Sequence, residues 1–158
     1  IVIAIMAIMA SGIALSIGLL RSSEAKKLAS EINSSLTTLR SENMAKSDLS
    51  YMHIYYYEGN YYIQMSKDPA PVVDGSGRNV GSGSLTVVFK GESDITLGPD
   101  NTETLTFCIN KKDGSFMKKV NDTELKTTSE ILVTSSNTST THHIKLVRDT
   151  GRHYMEVD

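Results

Sequence analysis

The sequence predicts an α+β fold in which a long N-terminal α-helix packs on a small antiparallel β head. Residues 1–20 are apolar and carry no charged side chain, and no proline interrupts the helical pattern that continues to residue 46. Beyond residue 47 the chain changes to short runs of aromatic and β-branched residues, separated by Gly, Asn and Asp. We therefore expect a helix over 1–46, roughly 65 to 70 Å long, and a β-rich head over 47–158.

The first half of the predicted helix is apolar on every side. About 20 residues at 1.5 Å each make a helix of roughly 30 Å, which is the thickness of the hydrocarbon core of a bilayer. We expect this half to lie among lipids or among other apolar helices, because no side of it suits water. The residues expected to make these contacts are Ile1, Val2, Ile3, Ile5, Met6, Ile8, Met9, Ile13, Leu15, Ile17, Leu19 and Leu20.

Four small residues interrupt the apolar half: Ser11, Gly12, Ser16 and Gly18. They are the weakest helix formers there, since each Gly costs about 1 kcal/mol relative to Ala. One interpretation is a flexible segment that unwinds when helices assemble. The alternative is that small residues let neighbouring helices approach closely.

The second half of the predicted helix carries a single apolar stripe. Its apolar residues recur mostly at spacings of three and four, which places them on one face. A helix of this kind needs a partner on one side only, and the β head of the same chain can supply it. The residues expected to dock the helix on the head are Ala25, Leu28, Ile32, Leu36 and Leu39.

The head is predicted to be mostly antiparallel β. The surest element is a hairpin with strands 51–57 and 61–65 around the turn Glu58-Gly-Asn60. Residues 68–84 hold two of the three prolines and several glycines, so we expect an irregular loop there. A second hairpin is expected at Asp113-Gly114. The remaining strand candidates are 85–89, 94–97, 104–109, 131–133, 143–147 and 153–157.

Composition and motifs argue against catalysis. A net charge of -2 does not favour broad nucleic-acid binding, and the single cysteine, Cys108, cannot form an intramolecular disulfide. His142 and His143 are adjacent in a predicted strand, so they point to opposite faces and do not suit joint metal ligation. The glycine-rich stretch 74–81 lacks the lysine of a phosphate-binding loop. We expect no enzyme activity, no cofactor and no metal site.

Tyrosines are concentrated in the first hairpin. Alternation places Tyr51, Tyr55 and Tyr57 on one face of the first strand and Tyr56 on the other, while Tyr61 and Tyr62 also oppose each other. Ordinary cross-strand packing accounts for them best. The alternative is that one face stays exposed as a contact surface for a neighbouring subunit or a ligand, because tyrosine suits half-wet interfaces.

The beginning of the chain, IVIAIMAIMA over 1–10, resembles the later part of the motif FTLIELLIVIAIIAILA that opens the mature subunits of type IV pili and the related pseudopilins. We expect the earlier part of that motif, with its acidic residue, to lie before Ile1. Thr150-Gly-Arg152 followed by a short strand is similar to the closing hairpin of H-type pseudopilins. This family also combines a two-part helix with a β-rich head.

The resemblance implies a structural subunit of a type IV pilus or pilus-like filament that assembles by packing its N-terminal helices. It implies identical subunits and the pilus assembly machinery as partners. The subunit would reside in the cytoplasmic membrane before assembly and in an extracellular filament on the cell surface afterwards. Two alternatives remain open: a membrane-anchored surface β domain that acts as a binding or adhesion module, and an anchored enzyme.

Overall fold

The computed structural model describes residues 2–120, 123–136 and 140–158, and it describes side chains from Ser22 onward except at Lys119. The chain begins with one helix, α1 (Val2–Ala45). Eleven strands follow in the described residues: β1 (Tyr51–Tyr57), β2 (Asn60–Ser66), β3 (Arg78–Ser82), β4 (Leu85–Lys90), β5 (Asp94–Leu97), β6 (Thr104–Cys108), β7 (Lys119–Val120), β8 (Thr123–Glu124), β9 (Thr128–Ser135), β10 (Thr141–Val147) and β11 (Arg152–Val157).

Two antiparallel sheets contain most of these strands. The first, sheet A, has the order β3-β2-β1-β6, and the second, sheet B, has the order β11-β10-β9-β4-β5. Strands β7 and β8 form a separate two-stranded ladder. Alternate residues of β9 and β10 are buried, so sheet B has one face in the core and one toward solvent.

The two sheets meet in a shared core. The rings of Phe89 in β4 and Phe107 in β6 pack edge to face with centroids 5.9 Å apart. The buried Tyr61 hydroxyl of β2 donates to the carbonyl oxygens of Leu85 and Leu97, at 2.8 and 3.0 Å. Burial raises the pKa of this hydroxyl to about 12, so it stays protonated and remains a donor. These contacts hold sheet A against sheet B.

Helix α1 covers the core between the sheets. It contacts β1, β2 and β3 of sheet A and β9, β10 and β11 of sheet B. The residues that face the sheets are fully buried, and they include Ala25, Ala29 and Leu36. One side of the helix thus closes two sheets at once.

The predicted fold class, a long helix on a small β head, is wrong. The described chain is mainly antiparallel β, and the helix that carries described side chains contributes 24 residues, 22–45. The prediction gave the helix too much weight, because the long apolar run and the helical pattern after it are the strongest signals in the sequence. Burial instead centres on the sheets, which supply most of the buried hydrophobic residues.

The predicted first hairpin is confirmed. β1 and β2 pair from Tyr51 with Ser66 to Tyr57 with Asn60. Glu58 and Gly59 form the turn with φ of 42° and 84°, the positive values that a two-residue hairpin turn of matching twist requires.

Two local predictions differ from the structure. The loop predicted over 68–84 contains β3, a short strand that its sequence RNVGS does not favour and that pairing with β2 and cover by α1 stabilise. The hairpin predicted at Asp113-Gly114 is reduced to a turn with a single bridge between Ile109 and Phe116. In both segments, contacts with distant parts of the chain determine the secondary structure more than the local sequence does.

The buried face of α1 predicts a large cost for truncation at Leu36. We expect Leu36→Ala to lower the free energy of unfolding by roughly 2 to 5 kcal/mol, because it leaves a cavity between helix and sheets. Ser34→Ala, an exposed position in the same helical turn, is the matched control and should change it by less than about 0.5 kcal/mol. Denaturant unfolding of the full chain followed by circular dichroism measures both, and equal effects would contradict the buried position of Leu36.

Candidate functional site: the helix and its junction with the sheets

The structure brings the predicted docking residues together in the core. Ala25, Leu28, Ile32, Leu36 and Leu39 are each fully buried and belong to one continuous cluster with side chains from both sheets. Leu28 approaches Gly81 of β3 so closely that a Cβ added at Gly81 would lie 3.2 Å from its methyl carbon. The docking stripe therefore seats the helix against β3 with little clearance.

The predicted filament-core residues, from Ile1 to Leu20, and the predicted flexible segment of Ser11, Gly12, Ser16 and Gly18 lie outside the residues whose side chains the structure describes. The backbone of α1 begins at Val2 and continues without a break into residues 22–45, the docked half of the helix. Among the residues whose side chains the structure describes, from Ser22 onward, no helical segment has the length and apolarity that crossing a membrane requires.

A buried asparagine fixes the end of the helix. Asn43 follows Leu39 by four residues on the stripe, and its Nδ2 donates to the carbonyl oxygens of Ser50 and Ile109, at 2.9 and 3.0 Å. Its Oδ1 accepts from the Ser50 backbone N–H at 2.7 Å. One side chain thus joins the helix to the start of β1 and to the end of β6. All of its hydrogen-bonding groups are used in a buried place, where an unpaired one is costly.

Sequence reasoning missed Asn43. The signal was present, because a polar residue at position 43 continues the stripe of Ile32, Leu36 and Leu39, where an apolar residue is expected. A polar side chain at a core position indicates a specific hydrogen-bond partner. The partner lies 66 residues away at Ile109, and nothing local predicts it.

The cysteine beside this junction is a packing residue. Cys108 is buried, and its Sγ lies 3.6 Å from the Asn43 Nδ2 and 3.4 Å from the Ser50 carbonyl oxygen. Burial raises the pKa of the thiol, which disfavours the reactive thiolate. These contacts fit a structural role for Cys108.

Polar contacts also hold the middle of the helix on both sides. Arg78 of β3 pairs with Glu31 at 2.6 Å and donates to the Ser35 hydroxyl at 2.9 Å. On sheet B, the His153 Nε2 of β11 lies 3.0 Å from the Thr37 hydroxyl oxygen. Residues within two turns of each other therefore attach α1 to edge strands of different sheets.

His142 is a buried imidazole without a polar partner. It lies on the inner face of β10, and among the described residues neither ring nitrogen has a hydrogen bond. Burial lowers its pKa, and the nearby charges of Lys26 and His143 lower it further. His142 is thus neutral at pH 7, and it lies near Lys26 of α1.

His143 points to the opposite, solvent-facing side of sheet B. Its Nδ1 lies 3.0 Å from Glu130 of β9, and the Lys145 ammonium donates to the same carboxylate at 2.6 Å. The hydrogen bond from Lys145 is the main reason that the pKa of Glu130 is lowered. Among the described residues no group of three metal-ligating side chains occurs.

The tyrosine rings pack across strands. Tyr55 stacks on Tyr62 at 5.6 Å, and Tyr56 meets Tyr61 edge to face at 5.2 Å. The loop after β2 covers the outer face, where the Tyr55 hydroxyl donates to the Asp74 carbonyl oxygen and accepts from the Gly77 N–H. A Cβ at Gly77 would lie 2.6 Å from this hydroxyl, so a larger residue there would displace the Tyr55 hydroxyl or the loop.

An open groove of about 550 Å³ lies beside this loop. Thr104, Thr106 and Cys108 of β6 line it on one side, and Pro69, Pro71 and Val73 of the loop line it on the other. His53 is buried nearby, with its ring nitrogens close to the Thr106 hydroxyl and the Asp68 carbonyl oxygen. The groove combines hydroxyl and apolar surface without a charged side chain in its lining.

Comparison of the chain with protein-family models, with curated proteins and with solved structures found no match in any of the three.

Replacement of Asn43 tests the junction. We expect Asn43→Ala to lower the free energy of unfolding by about 2 to 4 kcal/mol, because Ser50 and Ile109 lose their buried partner. Ser41→Ala, exposed in the same turn, is the control and should change it little. Urea unfolding measures both, and an Asn43→Ala chain as stable as the control would show that the junction does not depend on this side chain.

The state of His142 predicts a dependence of stability on pH. Its pKa in the folded chain is below the ordinary value of 6.5, so the unfolded chain binds more protons there, and stability falls as the pH drops below 6.5 toward the folded pKa. His142→Leu should reduce this loss and should cost little at pH 7, since no hydrogen bond disappears.

His53→Leu is the matched comparison for His142. Its pKa is also lowered by burial, but it has two polar partners, so the substitution should destabilise the chain clearly at pH 7. Urea midpoints at pH 7 and pH 5 separate the two. Equal losses at pH 7 would mean that His142 has a polar partner in solution.

Proposed function

We propose that the chain is a structural subunit of a type IV pilus or pilus-like filament, which assembles through its N-terminal helices. The observation that supports this proposal is the continuity of α1: one helix, Val2–Ala45, contains the apolar run and the docking stripe. A helix that is apolar on every side requires apolar surroundings, which other copies of the same helix can supply.

The docked half gives the assembly its mechanical link. Core burial of Leu28, Ile32 and Leu36 attaches the helix to both sheets, and the Asn43 contacts fix its end. Because the helix is attached rigidly to the head, the packing of residues 1–20 among neighbouring helices would also determine the position of the head. This arrangement suits a polymer whose centre is helical and whose surface is β.

Assembly in this proposal exchanges lipid for protein around residues 1–20. Both surroundings are apolar, so the gain comes from close packing of helices rather than from the hydrophobic effect. The contact is heterologous, because each helix packs on differently placed copies, and such contacts propagate into helical filaments. Before assembly the segment rests in the cytoplasmic membrane, and the assembly machinery extracts it.

The groove beside β6 supports a second candidate function, a surface domain that binds or adheres through its head. Its hydroxyl-lined side and its proline-lined side suit an uncharged ligand. A filament subunit can also carry such a groove, so the two functions differ in assembly. Electron microscopy of native material separates them, since filaments support the first and dispersed particles that require detergent support the second.

A charge in the apolar half tests the filament proposal. We expect Ile8→Asp to abolish filaments, because a carboxylate cannot be accommodated among apolar helices. Ser34→Asp places the same charge on the exposed side of the docked half and should leave filaments intact. Electron microscopy counts filaments, and circular dichroism checks that both variants stay folded. Filaments formed by a folded Ile8→Asp chain would overturn the proposal.

A further inference from the structure

Sheet edges expose unpaired backbone groups, and proteins usually cover or interrupt them. The two large sheets of this chain have four edge strands, β3 and β6 in sheet A and β11 and β5 in sheet B. Other parts of the chain contact each of these strands to a different extent.

Helix α1 lies along β3, and Arg78 of this strand is held by Glu31 and Ser35. The end of β6 is covered by the following segment, where the Met117 N–H donates to the Cys108 carbonyl oxygen at 2.9 Å. These contacts engage Arg78 of β3 and the Cys108 end of β6.

On sheet B, β5 is capped by a side chain. The Asn101 Nδ2 donates to the Thr96 carbonyl oxygen at 2.8 Å, which is an edge group of that strand. A further strand could not pair there without displacing Asn101. The remaining edge is β11, where the His153 side chain on the inner face of the sheet contacts Thr37 of α1.

The alternation of backbone hydrogen bonds along β11 shows which of its N–H and C=O groups point away from β10. The Asp158 N–H donates to the Thr141 carbonyl oxygen, so residue 158 and every second residue before it face β10. His153, Met155 and Val157 therefore direct their backbone groups away from the sheet. Among the described residues, no hydrogen bond reaches the outward N–H and C=O of Met155.

The side chains of β11 are arranged symmetrically about Tyr154. Arg152 lies two residues before it and Glu156 two residues after it, and all three are exposed on the solvent-facing side of sheet B. An antiparallel copy of the strand centred on Tyr154 would place each Arg152 opposite a Glu156. In the same register His153 faces Met155, so the outward backbone groups of the two copies meet each other.

We propose that β11 is a homotypic docking edge, through which two copies of this chain pair strand to strand about a twofold axis at Tyr154. Two ion pairs of Arg152 with Glu156 flank a pair of tyrosines in the closely spaced, non-hydrogen-bonded position. The result is one continuous sheet of ten strands, five from each copy. The occupant is a second copy because the charge pattern of the strand is complementary to itself.

This pairing does not depend on the filament proposal. It is isologous and closes on itself, whereas filament growth through the helices is heterologous. Within filaments it would join heads of two neighbouring filaments. Failure of one proposal therefore leaves the other standing.

Disulfide trapping tests the pairing in the full chain in mild detergent. The two Tyr154 positions are expected roughly 4.5 Å apart between Cα atoms, a separation that a disulfide can bridge. Tyr154→Cys should give covalent dimers under mild oxidation. The control Thr96→Cys, exposed on the opposite edge of the same sheet, should not, and the native Cys108 is buried.

Charge reversal in the Tyr154→Cys chain identifies the partner. Arg152→Glu or Glu156→Arg alone places like charges opposite each other and should slow trapping about fivefold or more, whereas the double reversal should restore it. No dimer from a folded Tyr154→Cys chain overturns the proposal, and so do equal dimers from Thr96→Cys. Preferential dimers between Tyr154→Cys and Thr96→Cys chains would also overturn it, since they indicate pairing of β11 with β5.

Discussion

The structure depends on the burial of one face of α1 against two sheets at once. A five-stranded and a four-stranded antiparallel sheet each have an apolar face to cover, and the stripe from Ala25 to Leu39 lies against both. The ring contact of Phe89 with Phe107 and the Tyr61 hydroxyl join the sheets directly. The helix closes the space that these contacts leave, so the helix and the sheets are expected to fold as one unit.

Polar contacts give this packing its register. Apolar burial is non-directional, and a helix held by it alone could slide by a turn. Asn43 removes that freedom, because its amide reaches both the start of β1 and the end of β6. Arg78 and His153 add contacts at different heights along the helix. A fixed register matters for the proposed function, since it determines how the apolar half is presented to neighbouring copies. Among the described residues no hydrogen bond reaches the outward backbone groups of Met155 in β11, so the proposed strand contact is separate from the helical one.

Local patterns predicted part of this structure. The stripe of α1, the hairpin with its Glu58-Gly59 turn and the opposed faces of His142 and His143 follow from periodicity and turn chemistry. The predominance of β structure could not be predicted from these patterns. The apolar run gave one strong helical signal, whereas the signal of each short strand is weak. The β3 strand and the Asn43 contacts could not be read locally either, since both depend on partners far along the chain. The charge symmetry of β11 becomes meaningful only once the strand is known to be an edge.

We expect residues 25–45 of α1 and both sheets to unfold as one cooperative unit. Native-state hydrogen exchange of the full chain tests it most directly, because amide protection reports the free energy of local opening. We expect amides on the buried side of α1 to exchange with the same free energy of opening as those of β1 and β9. All of them should respond together to denaturant. Rapid exchange along α1 while the sheets remain protected would contradict it, since the helix would then be an appendage and not the element that closes the core.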